Sequence, residues 1–250
     1  KLNGEANLSK EQDITVDVTV DGKPEDPNAP KVGDYFYTDG TWSTELNGEK
    51  RTGVIFDLAA DDVLENYEGS NLQDKVRGWV VALNDISAKW YDGSSNLTGN
   101  NLTNTIEGVA VPTSTGPEQI AKELLDIKIK AITAVTTDSE KFPANTECSN
   151  WSPKITSNTT SGWYFPSIAQ LQRIYQAETT ITDKLIAASG KAVNTGVYLS
   201  STLYKTKELS YAPLGINLKE ADKAEQANSY GIARTQRANG GYYVRAVLTF

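Results

Sequence analysis

Histidine and methionine are absent from this 250-residue chain, and cysteine occurs once, at Cys148. Without histidine no Ser-His-Asp arrangement can be assembled, and a single thiol gives neither an internal disulfide nor a Cys/His zinc site. Carboxylate and carbonyl oxygens are left as the ligands open to a calcium ion. Long apolar runs are also missing, so no stretch reads as a membrane-spanning helix. Lysine and arginine number 24 against 32 acidic residues, a formal charge of −8 with a pI near 4.8. With no basic cluster to displace counterions from phosphate, nucleic acid and anionic lipid are poor candidates as partners. Lys1 opens no charged-then-apolar leader, and the chain reads as a mature or truncated form.

What is present describes a turn-rich globular protein: 38% hydrophobic residues, 22% charged, 19 Gly and 12 Tyr. The length allows one large domain or one domain with an appendage, and a single main domain is the simpler reading. From Asp13 to Val20 the chain alternates strictly, with Ile14, Val16, Val18 and Val20 on one face of an expected strand. Pro24, Pro27 and Pro30 follow in a linker-like stretch, so residues 1–30 separate from a main domain at 31–250. A lone strand is too small to be stable in water and needs a partner. It either joins a sheet of the main domain, or is the remnant of a preceding domain, or is donated to a neighbouring subunit.

The most specific segment runs from Gly162 to Leu171, where a turn, two alternating aromatics and a helix start fall within ten residues. Trp163 and Phe165 are expected in the core, Pro166-Ser167 at a helix N-terminus, and Ile168, Leu171, Ile174 and Tyr175 on its apolar face. That helix is expected to run to about Gln176, with Thr179 or Thr180 capping a second short helix through Ala188, closed by Gly190. Another helix is expected from Gly116-Pro117 to about Ala131. Asp39-Gly40 between aromatic runs signals a hairpin, and Val54 to Phe56 and Trp79 to Leu83 read as buried strands of a central sheet. Strands are also expected at Val197 to Thr202, around Ser210 to Leu218, and from Tyr242 to Phe250. In the last of these, Arg245 needs a carboxylate or carbonyls to be tolerated inside a sheet layer.

Three motifs carry a resemblance. Val32 to Ser43 reads Val-Gly-Asp-Tyr-Phe-Tyr-Thr-Asp-Gly-Thr-Trp-Ser; Gly162 to Ser167 fits Gly-Trp-x-x-Pro-Ser before a helix; and a Ser-Ser-Thr strand precedes a terminal Val-Arg-Ala-Val strand. In this order they resemble a family of bacterial surface domains with the C-type-lectin-like fold, as found at the C-terminus of Bacteroides-type lipoproteins and fimbria-associated proteins. The resemblance implies an α+β fold with a mixed sheet, packed short helices and long loops, preceded here by the N-terminal strand. It further implies a bacterial cell surface or outer membrane location, lipid-anchored or fimbrial, and a non-catalytic binding or adhesion role. The alternative is a structural subunit of a surface fibre, joined to a neighbouring subunit through Ile14 to Val20.

Formylglycine-generating enzymes share that fold and use two cysteines to bind copper, which the lone Cys148 cannot reproduce. Asn84-Asp85 resembles part of the lectin calcium motif, but Leu83 stands where that motif has Trp. Ser200-Ser201-Thr202 and the acid pairs Asp61-Asp62 and Glu220 with Asp222 lack a base or a geometry, and no enzyme activity or cofactor is expected. In the resembled fold, ligands sit on the long segment before the final strands. That placement nominates Tyr204, Tyr211, Asn217, Tyr230 and Arg234 as a surface for a glycan or protein ligand.

Overall fold

The computed structural model describes residues 26–48, 50–59, 72, 76–90, 143–193, 196–205, 211–217, 232–234 and 242–250. The expected strand at Asp13 to Val20, the expected helix from Gly116 to Ala131, and Tyr230 lie outside these residues. Among the described residues the architecture is α+β, with two helices and two five-stranded sheets.

The first sheet grows from the aromatic hairpin. β1 (Tyr35–Tyr37) turns through Asp39-Gly40 into β2 (Trp42–Ser43). The Gly40 N–H donates to Tyr37 O at 3.0 Å, and the Asp39 carboxylate accepts from Thr41 N–H at 3.0 Å. β3 (Arg51–Leu58) and β4 (Gly78–Ala82) pair antiparallel with Val54 opposite Val81 and Ile55 opposite Val80. β10 (Val247–Thr249) adds to β4, giving the order β10-β4-β3-β1-β2.

The continuous apolar runs in β3 and β4 follow from this position. Successive side chains point to opposite faces, and both faces are covered. Val54, Phe56 and Val81 pack with Ile168, Leu171, Ile174 and Ile181 of a helix on one side. Ile55, Val80 and Ala82 pack with Trp163, Phe165 and Trp90 on the other.

The second sheet has the order β5-β9-β6-β7-β8, from β5 (Ile86–Ser87), β9 (Tyr243–Val244), β6 (Val197–Lys205), β7 (Tyr211–Asn217) and β8 (Ile232–Arg234). It is mixed, because β6 runs parallel to β9 at the Tyr198–Tyr243 pairing while its partner β7 is antiparallel. The expected single strand from Tyr242 to Phe250 is therefore two strands in two different sheets. The chain crosses between them at Arg245-Ala246, where the Arg245 side chain is fully buried and tied down.

Of the two helices, α1 (Pro143–Ser149) is short and α2 (Ile168–Ala187) spans 20 residues. Ser167 caps α2, and a capping box links its side chain to the Gln170 backbone and the Gln170 side chain to the Ser167 N–H. The pair of short helices expected here is one continuous helix. Thr179 and Thr180 sit exposed in its middle, and no glycine or proline between Ile168 and Ala187 breaks the backbone ladder. Their cap-like chemistry is not used.

Where α2 does end, Gly190 N–H donates to Leu185 O and Ser189 N–H to Ile186 O, both at 2.9 Å, the pattern of a Schellman motif. A Cβ on Gly190 would lie 2.5 Å from Leu83 O, so only glycine lets the helix end approach β4's exit. Ser189 occupies the left-handed position with φ of 62°, where most motifs of this kind place glycine. Ser189→Gly is expected to raise stability by about 0.5 to 1 kcal/mol, read as a shift in the urea midpoint at constant slope.

Candidate functional surface

Three regions concentrate the polar chemistry of the described residues. The first is the crossing point at Arg245. Its Nε donates to Asp85 Oδ1 at 2.6 Å, and its Nη2 donates to Lys191 O at 2.9 Å and Ala192 O at 3.3 Å. Tyr198 also donates its hydroxyl to Asp85 Oδ1, at 2.9 Å, and its ring lies 5.6 Å from that of Tyr243. The Arg245 side chain is 1% exposed and that of Asp85 8%. Asp85, which the lectin-like dipeptide offered as a cation ligand, thus has a guanidinium as its cation. The group is an anchor between the sheets.

The second region is the segment before α2. Trp163 and Phe165 are buried against Ile55, Leu199 and Leu248, while Tyr164 between them faces the helix side of the first sheet. Tyr164 exchanges backbone hydrogen bonds with Val247 at 2.8 and 3.0 Å, and its hydroxyl meets Thr249 Oγ1 at 2.9 Å and accepts from Gln170 Nε2 at 2.6 Å. Buried Pro166 supplies the carbonyl that accepts from Ser201 N–H at 2.8 Å.

That last contact falls at the hydroxyl triplet in β6, where it engages the backbone and not a hydroxyl. Leu199 pairs with Gly215 but Leu203 pairs with Pro213, so β6 bulges by two residues at Ser200-Ser201-Thr202. Through the bulge the backbone bonds elsewhere: Ser201 to Pro166, and Ser200 O to the indole N–H of Trp90 at 2.8 Å. Pro213, with no N–H to give, sits where the ladder is already interrupted. Ser200 and Ser201 are buried packing and bonding residues.

The ligand residues nominated from the sequence fall on the β6-β7-β8 ribbon. Tyr204 is opposite Ala212 and Tyr211 opposite Lys205, so these two occupy adjacent register positions at one end. Asn217 is opposite Val197 at the other end of β7, roughly 20 Å from Tyr211 at the usual rise of a strand. Arg234 is opposite Leu214, between the two. The ribbon brings Tyr204 and Tyr211 together and holds Asn217 apart.

The third region was not nominated. Trp42, in the edge strand β2, lies between two open hollows of about 470 and 720 Å³. Its indole N–H donates to Asn28 O at 3.1 Å, its ring lies 5.6 Å from that of Phe250, and the Arg77 guanidinium lies 5.1 Å from its centroid. Asp39, Asn47 and Lys50 line one hollow, Lys31, Asp34 and Glu45 the other. Cys148, by contrast, is completely buried in α1. Burial pushes its thiol well above the ordinary value, with Glu147 adding in the same direction, so at neutral pH it is not the nucleophilic thiolate.

Among the described residues no three His, Cys, Asp or Glu side chains gather as a metal site, and no helix is long and apolar enough to cross a membrane. No known family profile matches the chain, and no curated protein matches it in sequence. Among solved structures, the chain is similar to a fimbrial protein from Bacteroides ovatus ATCC 8483, with a TM-score of 0.58 at 17% identity. The match takes in 88% of this chain and 49% of the other, so this chain spans about half the length of that protein. At such an identity the likeness shows a shared fold: two sheets and a long helix arranged as in one part of a bacterial fimbrial protein.

Proposed function

We propose that the chain is a non-catalytic binding or adhesion module of a fimbria-associated protein, on a C-type-lectin-like framework displayed at the bacterial cell surface, lipid-anchored or fimbrial. The observation that carries this reading is the fold likeness to the Bacteroides ovatus fimbrial protein across 88% of the chain. Two features favour the C-type-lectin-like framework: β10, the last described strand, returns to the sheet that β1 begins, and the second sheet carries the β6-β7-β8 ribbon off one side. Such a ribbon offers a partner an extended surface apart from the core.

The ligand surface in this reading is centred on Tyr204, Tyr211 and Arg234, with Asn217 at its margin and Tyr230 as a further contributor. Tyrosine presents a flat apolar face and a hydroxyl at small rotamer cost, and arginine adds directional donors, which suits a glycan or a protein partner. A glycan and host-protein array probed with the chain tests the reading. Tyr204→Ala, Tyr230→Ala and Arg234→Ala, made singly, are expected to weaken saturable binding at least tenfold with an unchanged melting curve. Full binding by all three would sink the assignment of this surface.

A further inference from the structure

The two edges of the first sheet are treated differently. Beyond β10, Tyr164 pairs with Val247 and Ser161 N–H donates to Thr249 O at 2.9 Å, so that edge is closed. Among the described residues β2 has only β1 beside it. Tyr37 N–H donates to Thr41 O at 2.9 Å, and Phe36 stands opposite Trp42. Because bonded and non-bonded pairs alternate in an antiparallel ladder, the Trp42 N–H and C=O point away from β1. An open edge of this kind is a template for another strand, and natural proteins usually cover it.

The chain itself arrives at this edge. Pro27, Asn28 and Ala29 line the 470 Å³ hollow together with Thr41, Trp42 and Ser43, and the Asn28 carbonyl takes the Trp42 indole N–H. The residues that precede Asp26 include the strictly alternating Ile14 to Val20. Between Val20 and Asp26 a trans backbone reaches at most about 20 Å, enough to fold back along β2. Val32 and Leu46, 37% and 39% exposed, are the next residues in sequence after the hollow-lining Lys31 and Glu45.

We propose that Ile14 to Val20 lies along the outer edge of β2 of its own chain. Its backbone pairs with the Trp42 N–H and C=O, and its Ile/Val face is turned to the hollow beside Trp42. A tether this short holds the segment at an effective concentration in the millimolar range, which favours pairing within one chain over capture of a strand from another. The inference stands independently of the ligand surface proposed above.

Hydrogen exchange at the Trp42 amide of the full chain tests it. Exchange is expected to be at least tenfold slower in the unaltered protein than in V16P/V18P, with the Val80 and Val81 amides of β4 unchanged as the report of an intact fold. Should the proline pair disturb Val80 and Val81 too, V16D/V18D repeats the comparison with the backbone donors kept. A Trp42 amide that exchanges at the free-peptide rate in the unaltered chain overturns the proposal, as does protection that survives both variants. Protection that grows with protein concentration, with an assembly in light scattering that V16P/V18P dissolves, would assign the strand to a neighbouring copy and equally overturn it.

Discussion

Trp163→Ala is expected to cost about 3 to 5 kcal/mol of folding stability, the range for a large aromatic removed from a core that cannot fully collapse. The indole is 7% exposed and sits in the cluster formed by Ile55, Val80, Phe165 and Leu248. Its neighbours are poorly placed to fill the space. Gly53 approaches the ring so closely that a Cβ there would lie 3.2 Å from Trp163 Cη2, and the same Cβ would lie 2.5 Å from Val80 Cγ1 and Val81 O. The substitution also removes the indole N–H that donates to Pro153 O at 3.3 Å. Denaturant titration reads the loss. A value under about 1 kcal/mol would mean that the indole contributes little to the core, contrary to the burial mechanism.

Arg245→Ala is expected to cost a comparable amount, about 3 to 5 kcal/mol, by a different route: the partner carboxylate is left buried without its cation. Asp85 keeps only the Tyr198 hydroxyl, and the Lys191 and Ala192 carbonyls lose their donor. The distinguishing measurement is a double-mutant cycle with Asp85→Ala. Because removing both members avoids the orphaned charge, the double variant is expected to lose less than the sum of the two single losses, by about 1 kcal/mol or more. Strict additivity would show that the two side chains act independently despite their 2.6 Å contact.

The fold was readable in the sequence wherever a local rule and the tertiary environment agreed. Val54 to Phe56 and Trp79 to Leu83 announced a two-faced strand pair because β-branched and aromatic residues ran on without polar interruption, and β3 and β4 are covered on both faces. Asp39-Gly40 predicted its hairpin, and Pro166-Ser167 marked the start of α2 through cap chemistry that operates within four residues. Thr179 and Thr180 misled because hydroxyl residues favour both caps and turns, yet a helix held along its apolar face carries them through its exposed side. The strand expected from Tyr242 to Phe250 is two strands, because strand-forming residues carry no record of which sheet they join.

The candidate sites were less legible for related reasons. That Tyr204 and Asn217 sit at opposite ends of a ribbon depends on the register of β6 against β7, and that register is set by a bulge at Ser200 to Thr202. The hollows beside Trp42 lie where β2 is the last described strand of its sheet, a property of strand order. Asp39-Gly40 and Trp42 were visible as a hairpin, with nothing in the residues themselves to say that its outer strand ends the described sheet.

The crossing of the chain from β9 to β10 bears on how the protein comes to be folded in the first place. Residues 242–250 follow every other described strand in the sequence, and they supply one strand to each sheet, with Val247 of β10 pairing to the much earlier Val81 of β4. Neither sheet can be completed until this segment has left the ribosome, and closing so long a loop is paid for in chain entropy before the contacts return it. During synthesis β4 therefore has one neighbour, and the side that β10 will occupy stays without its strand. The buried Arg245 that joins the two sheets can therefore find Asp85 only after both strands of the first-made part are already in place, which makes the closing of the sheet junction a late step of synthesis.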